Sequence, residues 1–250
     1  EDIVVHGVDT DNSPYDCGSY ASSTTYVTGM AVVKTCETLR KKICERGAEY
    51  LGCSPDDVEF DGEKVVNLKT KEEITRKEIG NKVMCSSNAP LSATEAFSSP
   101  VSPPPFMVGI AEVEIDKETG VVEPIDYAAV VDCGTVVNPN LARVQTEGGI
   151  AQGIGMALYE DIIYSEKGKN YSNSFMQYKI PSRLDVGEIR VEFESSYEPT
   201  GPFGAKSIGE IVINTPSPAI SNAVQNAVGV IVRELPITAE KVYKGMAEKE

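Results

Sequence analysis

A helical pattern that contains four glycines most strongly limits how this chain can fold. Asn138-Pro139 is typical of a helix start, with Asn as the N-cap and Pro at the first position. The pattern runs to about Tyr159 and includes the stretch QTEGGIAQGIGMAL (Gln145–Leu158). Each glycine costs about 1 kcal/mol of helix stability relative to Ala, so the pattern predicts close approach by a ligand or by another helix. The predicted inward face comprises Leu141, Val144, Gly148, Ala151, Gly155, Leu158 and Ile162.

Two amides in this helix are candidate ligand contacts. Gln145 and Gln152 are seven residues apart and therefore lie on one helix face. An amide side chain both donates and accepts hydrogen bonds, which suits a heterocyclic ligand. The nearby Gly153-Ile154-Gly155 does not indicate a dinucleotide-binding fold, because the third glycine is missing and the segment lies inside a helix rather than between a strand and a helix.

Helical and strand patterns alternate along the rest of the chain. A helix is predicted from about Thr28 to Tyr50 and ends at Gly52, and a final long helix is predicted to begin at Ser217-Pro218 and to stop before Pro236. Between these helices, the sequence predicts a hairpin around Asp61-Gly62, a helix capped by Thr75 and Glu78, strands over 107–116 and 121–132, a proline-rich packed loop over 89–105, and a strand over 188–197. The fold class is therefore α+β, with mixed sheets and packed helices in one domain over residues 1–250.

Composition excludes several function classes. The net charge of −15 opposes contact with nucleic-acid phosphates, and the sequence has no apolar stretch of bilayer-spanning length, so neither nucleic acid nor a membrane is an expected partner. The six cysteines include no CxxC motif and are expected to be reduced thiols in a cytoplasmic protein. The single histidine, His6, is expected to be structural on a short apolar strand. Because the chain starts at Glu1 without Met, we expect a subunit or a piece of a longer protein.

Two further stretches carry more glycine and serine than packing requires. Cys17–Thr25 precedes the first helix, and its backbone amides suit an anion, although a Ser/Thr-rich capping loop is the simpler interpretation. Pro199–Pro216 reads PTGPFGAKSIGEIVINTP and sets Glu210 among apolar residues such as Ile208 and Val212. Apolar surroundings would raise the pKa of this carboxyl group and make it a candidate general base. A solvent-facing glutamate at the edge of a loop is the alternative.

Four segments resemble the xanthine dehydrogenase/aldehyde oxidoreductase family. These segments are GSYASSTTYVTGMAV (Gly18–Val32), VVDCGTVVNPNLARVQTEGGIAQGIGMALYED (Val130–Asp161), YKIPSRLDVGEI (Tyr178–Ile189) and GAKSIGE (Gly204–Glu210). The resemblance is to the C-terminal half of the family's molybdopterin-binding region, and it extends over most of the chain.

The resemblance implies a molybdenum hydroxylase. In this family a pterin cofactor holds the molybdenum, in bacteria usually as a cytosine dinucleotide, and no protein side chain ligates the metal. Glu210 matches the family's catalytic glutamate, which would take up a proton at the molybdenum centre before oxygen attacks an electron-poor carbon. Ala21, Ser22 and Thr24 would lie beside the cofactor, Gln152 would bind the pterin or its phosphates, and Gly209 would let its loop approach the metal.

The resemblance also implies partner chains. The earlier half of the molybdopterin-binding region, the iron–sulfur domain and the FAD-binding domain have no counterpart in this sequence. We therefore expect a companion molybdopterin subunit, an iron–sulfur subunit and a flavin subunit, as in split nicotinate dehydrogenase and purine hydroxylase enzymes. The expected substrate is an N-heterocycle such as a purine or nicotinate. An aldehyde substrate and a non-catalytic structural or assembly role are the alternatives.

Overall fold

The computed structural model describes residues 3–7, 9–11, 13–16, 18–86 and 90–248. Helices and strands alternate, and the strands form two separate three-stranded sheets. The helices are α1 (Gly29–Leu51), α2 (Arg76–Met84), α3 (Pro139–Leu158), α4 (Ile211–Asn214), α5 (Pro216–Val228) and α6 (Ala239–Ala247). The strands are β1 (Val58–Phe60), β2 (Lys64–Asn67), β3 (Glu73–Thr75), β4 (Phe106–Ile115), β5 (Val122–Asp132) and β6 (Glu188–Phe193).

The first sheet packs against α1 and α2. Gly52 ends α1 as predicted. It adopts a left-handed conformation, which glycine tolerates because it has no Cβ. Gly47 lets α1 approach β2 closely, because a Cβ at this position would lie 2.7 Å from the side chain of Val65. Cys36 of α1 is exposed, and the buried residues of this helix, Gly47 and Ala48, lie in its C-terminal half.

Turns and helix caps determine the remaining structure around the first sheet. The predicted hairpin is confirmed, with Asp61 Oδ1 accepting hydrogen bonds from the amides of Glu63 and Lys64. The predicted capping box is confirmed as well: Thr75 and Glu78 bond to each other's backbone amides at the start of α2. The short strand β3, which pairs with β2, has no corresponding sequence prediction.

The second sheet has the order β4-β5-β6 and is mixed. β4 and β5 form the predicted antiparallel hairpin, whereas β6 pairs with β5 in parallel. One sheet face, together with α3, α5 and α6, encloses the main hydrophobic core. The α+β class with mixed sheets is therefore confirmed. The largest fully buried side chains of this core are Tyr127, Ile150, Ile154, Val191, Ile220, Ile237, Val224 and Val242.

Helix α3 begins where the sequence predicts, but the face that it buries overlaps the predicted one only in part. The side-chain oxygen of Asn138 accepts a hydrogen bond from the Leu141 amide at 3.1 Å and caps the helix. The predicted inward residues Leu141 and Val144 are 66% and 65% exposed. The buried residues are Thr146, Gly149, Ile150, Gly153, Ile154, Gly155, Ala157 and Leu158. Of the predicted inward residues, Gly155 and Leu158 are therefore buried as expected. This face is inward because α4 and α5 pack against its glycines.

The C-terminal helices also differ from the predictions. Helix α5 begins at Pro216, one residue before the predicted Ser217-Pro218 cap, and it ends at Val228, where left-handed Gly229 is the C-cap. The predicted helix, which extended to Pro236, is therefore too long at its C-terminal end, and α6 follows as a separate helix.

Three further observations concern His6, two residues that are not described, and the lengths of the helices. His6 is exposed and lies outside any strand, so the prediction of a structural histidine on an apolar strand is wrong. Cys17 and Ala89, at the edges of two predicted loops, lie outside the described residues. Within the described part of the chain, no helix combines the length and the apolar character that crossing a bilayer requires.

Candidate functional site

The loop before α1 has an unusual backbone conformation. Ala21 and Ser22 have φ values of 48° and 57°, in the left-handed region that non-glycine residues seldom adopt. Each such residue costs on the order of 1 kcal/mol, and strain of this kind is concentrated at functional sites. The loop continues through a π-helical turn over Thr24–Thr28 directly into α1. The described part of the Cys17–Thr25 stretch is therefore a loop with a strained, left-handed backbone and not a simple helix cap.

This loop contacts the GAKSIGE segment. Ser22 Oγ donates a hydrogen bond of 3.0 Å to Glu210 Oε2, although the two residues are 188 positions apart in sequence. Glu210 is exposed, at the residue immediately before α4. The structure therefore agrees with the alternative of a solvent-facing glutamate and not with an apolar environment for this carboxylate. Val212, two residues later, is buried, while Glu210 lies exposed beside Ser22.

Gly209 lies between the two segments, where the packing leaves no room for a side chain. A Cβ at this position would lie 2.7 Å from Ser22 Oγ and 3.0 Å from Ser22 Cβ. Gln145 of α3 adds a third point of support, because its Nε2 donates a hydrogen bond of 3.2 Å to the Gly209 carbonyl. In the sequence, only the seven-residue spacing from Gln152 indicates Gln145 as a site residue. Its role in holding the loop of Glu210 depends on a partner 64 residues away.

Two cavities flank this contact. The first, of about 480 Å³, is lined by Ser19, Ser22, Thr24, Thr25, Gln145, Lys206 and Gly209 among others. The second, of about 410 Å³, is lined by Val144, Gln145, Gly148, Gly149, Gln152, Gly209, Glu210 and Ile213. The structure thus groups five of the six predicted site residues around one junction: Ser22, Thr24, Gln152, Gly209 and Glu210. Ala21 is exposed and directly precedes Ser22.

A buried ion pair lies at the wall of the first cavity. Lys206 is 7% exposed, and its Nζ donates a hydrogen bond of 2.8 Å to Asp132 Oδ2. Asp132 also accepts hydrogen bonds from Ser196 Oγ and the Gly134 amide. Burial acts to raise the pKa of Asp132, but the hydrogen bonds from Lys206, Ser196 and Gly134 outweigh it and lower that pKa. Sequence reasoning did not identify this pair, because its members are 74 residues apart.

Backbone contacts fasten the GAKSIGE segment to the end of β5. Ala205 forms a β-bridge with Gly134, and the Lys206 amide donates to the Cys133 carbonyl at 2.8 Å. Cys133 is buried, which raises the pKa of its thiol. The segment is therefore held by the sheet at Lys206 and by α3 and the Ser22 loop at Gly209–Glu210, so the position of Glu210 is set from both sides.

The donor set of the first cavity suits a cofactor that carries phosphate and hydrogen-bonding rings. Its lining combines the hydroxyl groups of Ser19, Ser22, Thr24 and Thr25 with the N-terminal end of the 20-residue helix α3. Gly209 also lines this cavity, beside the Ser22 side chain that its missing Cβ accommodates. Among the described residues, no three His, Cys, Asp or Glu side chains are grouped closely enough to hold a metal ion.

Comparisons with known proteins agree with this arrangement. The family model described as "Molybdopterin cofactor-binding domain" matches residues 1–187. The chain is 36% identical over 98% of its length to a protein of Escherichia coli K12 named "Probable hypoxanthine oxidase XdhD". It is 31% identical over 96% of its length to the gamma subunit of the 6-hydroxypseudooxynicotine dehydrogenase complex of Paenarthrobacter nicotinovorans. The solved structure of reconstituted CO dehydrogenase from Oligotropha carboxidovorans superposes with a TM-score of 0.84 at 26% identity, over 96% of this chain.

These matches define the class as a molybdopterin cofactor-binding domain. The chain belongs to the molybdenum hydroxylase family that includes xanthine dehydrogenase and CO dehydrogenase, so the resemblance read from the sequence is confirmed. The chain spans only 26% of the hypoxanthine oxidase, and 31% each of the gamma subunit and of the CO dehydrogenase chain.

Proposed function

We propose that this chain supplies the general base and one wall of the cofactor site of a molybdenum hydroxylase. The observation that carries the proposal is the position of Glu210, which lines the second cavity and accepts a hydrogen bond from Ser22, a residue of the first cavity. Gln145 fixes the adjacent Gly209 carbonyl, so the carboxylate is attached to a loop that is itself supported. A general base requires such placement within reach of the proton that it removes.

The proposed reaction converts a C–H bond of the substrate into a C–OH group. One C–H bond breaks, one C–O bond forms with oxygen from water, and two electrons and two protons leave. When bound, the molybdenum cofactor would supply the centre that accepts the two electrons. Glu210 would accept a proton at one carboxylate oxygen, while the Ser22 hydroxyl orients the carboxylate through its hydrogen bond.

We assign cofactor contacts on the same geometry. Ser22 and Thr24 present hydroxyl groups to the first cavity, and the strained Ala21–Ser22 backbone turns the loop toward it. Gln152 lines the second cavity, where its amide can bind the pterin or its phosphates. Gly209 lines both cavities, and the family resemblance implies that its loop approaches the metal. We propose the cytosine dinucleotide form of the cofactor, as the family resemblance implies.

We propose an electron-poor N-heterocycle as the substrate class. The name of the Escherichia coli relative, a hypoxanthine oxidase, supports a purine-like ring. The name of the Oligotropha protein, a CO dehydrogenase, shows that related chains serve other substrates. An aldehyde therefore remains the second candidate.

We further propose partner chains for the rest of the reaction. The gamma subunit relative is by name one part of a complex. We expect a companion molybdopterin-binding segment, and iron–sulfur and FAD-binding chains that carry the electrons away, in the cytoplasm. A non-catalytic structural role is the competing proposal, and the retained Ser22–Glu210 contact weighs against it because a purely structural relative has no need of an oriented carboxylate.

The test is to purify the chain from its native host with its bound partners and to measure metals and turnover. We expect about one molybdenum per chain, together with iron and flavin, and oxidation of hypoxanthine, xanthine or nicotinate with incorporation of oxygen from labelled water. Oxidation of aldehydes alone would replace the substrate proposal and leave the hydroxylase proposal intact. An assembled complex without molybdenum would establish the non-catalytic alternative.

A further inference from the structure

Backbone strain is concentrated in two loops that meet at the candidate site. Among the described residues, three of the four non-glycine residues with positive φ lie in these loops. Ala21 and Ser22 belong to residues 18–23, the Ser22 loop, and Phe203, with a φ of 53°, belongs to residues 198–204, the Phe203 loop, which leads into GAKSIGE. Strained conformations of this kind persist only where surrounding contacts over-determine them. The two loops therefore need firm anchors.

Tyr26 joins the two loops. It lies in the π-helical turn Thr24–Thr28, four residues after Ser22, and is only 3% exposed. Single π-helical turns are uncommon and recur at functional sites. The Tyr26 hydroxyl group lies 2.5 Å from Thr200 Oγ1, and the Thr200 hydroxyl group donates a hydrogen bond of 2.5 Å to Glu198 Oε1. Because the Thr200 proton goes to that carboxylate, Tyr26 is the donor to Thr200.

A third segment reaches the same hydroxyl group. Ser99 Oγ forms a hydrogen bond of 2.8 Å with Tyr26 Oη, at the end of a segment that runs along α1. Three contacts hold this segment on the helix: Lys42 Nζ with the Ser92 carbonyl, Thr38 Oγ1 with Glu95 Oε1, and Lys34 Nζ over the ring of Phe97. The Tyr26 hydroxyl group thus lies where three segments meet, and its two partners are 73 and 174 positions away in sequence.

Close packing leaves this junction little freedom to adjust. A Cβ on Gly201 would lie 3.1 Å from Cδ2 of Tyr26 and 2.0 Å from the carbonyl oxygen of Ala205. A Cβ on Gly29, the first residue of α1, would lie 2.9 Å from Cγ of Pro202. Since interiors packed this closely transmit displacements, a change at the Tyr26 hydroxyl group would shift both loops rather than be absorbed locally.

We infer that Tyr26 is a positioning residue, whose hydroxyl group fixes the Ser22 loop relative to the Phe203 loop and so brings Ser22 within reach of Glu210. The inference rests on the proposed function, in which Glu210 is the general base. Tyr26 is not among the described residues that line the two cavities, so it acts through Ser22 and not by touching the cofactor or the substrate. The Tyr26–Thr200 and Ser22–Glu210 hydrogen bonds are thus two links between the same pair of segments.

A double-mutant cycle in the purified complex tests this inference. Tyr26→Phe removes the hydroxyl group and keeps the ring. We expect kcat per bound molybdenum to fall about fivefold, as the loss of one neutral hydrogen bond would give, with little change in KM. In a Ser22→Ala background the same substitution should lower kcat by less than about twofold, because the group that it positions is absent. An equal loss in the two backgrounds, or no loss in either, would overturn the inference.

Two further variants complete the design. Thr200→Val removes the partner hydroxyl group from the other loop and should reproduce the loss of kcat, so it also serves if Tyr26→Phe fails to assemble. Tyr159→Phe is the matched control, because the Tyr159 hydroxyl group donates to the Asp185 carbonyl at 3.3 Å at the C-terminal end of α3. We expect Tyr159→Phe to leave kcat unchanged. A loss in this control equal to that in Tyr26→Phe would show a general effect of destabilisation and would overturn the inference.

Hydrogen–deuterium exchange separates this inference from the proposed function. In Tyr26→Phe, peptides that contain the Ser22 loop and the Phe203 loop should exchange at least about threefold faster than in the wild type, and Tyr159→Phe should leave them unchanged. Unchanged exchange in Tyr26→Phe would overturn the inference even in a complex that oxidises its substrate. Faster exchange in both loops of a complex without molybdenum or turnover would support the positioning of Ser22 by Tyr26 and refute the proposed function.

Discussion

The hydroxyl group of Ser22 donates a hydrogen bond of 3.0 Å to the carboxylate of Glu210, and this contact joins the strained loop before α1 to the segment before α4. Ser22 can hold this position only because the loop adopts a left-handed backbone and because Gly209 leaves room for its side chain. The orientation of the proposed base thus depends on a second loop that is far away in sequence.

Replacing the orienting hydroxyl tests this dependence. Ser22→Ala removes a hydrogen bond to a charged group, and such bonds contribute about 1.5–3 kcal/mol when well formed. Because Glu210 is exposed, we expect the lower end of that range, which is about a tenfold loss of kcat, expressed per bound molybdenum. Steady-state kinetics with metal analysis of the same sample is the measurement. Ser23→Ala, one residue further on, is the control and should retain full activity.

The proposed base itself should be indispensable to turnover and dispensable to assembly. Glu210→Gln preserves the shape of the side chain but removes its capacity to accept a proton. We expect kcat to fall by about 10²–10⁴, the usual contribution of a general base, with molybdenum and iron contents near those of the wild type. Glu166→Gln changes an exposed glutamate elsewhere and should be neutral. If Glu210→Gln retained more than a tenth of the activity, another group would have to serve as the base.

The fold was predictable from the sequence where short-range chemistry decides it. Gly52, the Thr75–Glu78 capping box and the Asn138 cap fix helix ends through contacts within four residues, and each is found as expected. The buried face of α3 was not predictable in the same way. It depends on Val212 and Pro216, which occupy the space beside its glycines from distant parts of the chain.

The site was predictable in composition but not in environment. The sequence and its family resemblance pointed to Ser22, Gly209 and Glu210, and the structure brings these three residues together. The expected apolar surroundings of Glu210 are not found, because its side chain is exposed beside Ser22, whereas Val212 two residues later is buried. The Lys206–Asp132 pair was not predictable for a related reason, because its two residues are far apart in sequence and meet only in the folded chain.

Breaking the buried ion pair should destabilise the protein strongly. Lys206→Met leaves Asp132 partly buried without its cation, and loss of one partner of a buried pair costs about 3–5 kcal/mol. We expect the free energy of unfolding to fall by about 3 kcal/mol, because Asp132 retains the hydrogen bonds from Ser196 and Gly134. Denaturant unfolding of the purified complex measures the loss. Arg190→Met breaks the exposed pair with Asp126 and should cost less than about 1 kcal/mol; equal losses would show that burial of Lys206 has no energetic consequence.

The same pair predicts how stability depends on pH. The pKa of Asp132 is lowered in the folded state, so the unfolded chain binds its proton more readily. The contribution of Asp132 is therefore complete above about pH 4, the ordinary pKa of an aspartate, and is lost as the pH falls through the folded-state value. Unfolding measured from pH 6 to pH 3 should show a shallower decline for Asp132→Asn than for the wild type. Asp161→Asn alters an exposed carboxylate and should reproduce the wild-type slope.

The close contact between Gly209 and Ser22 can be isolated with a double-mutant cycle. Gly209→Ala places a Cβ 2.7 Å from Ser22 Oγ, so the loop or the serine must move and the Ser22–Glu210 hydrogen bond should be lost. We expect about a tenfold loss of kcat, comparable to Ser22→Ala. In a Ser22→Gly background, which suits the left-handed backbone and removes both clashing atoms, Gly209→Ala should cost less than threefold. If the two substitutions were instead simply additive, Gly209 would be required for approach to the cofactor itself rather than for the placement of Ser22.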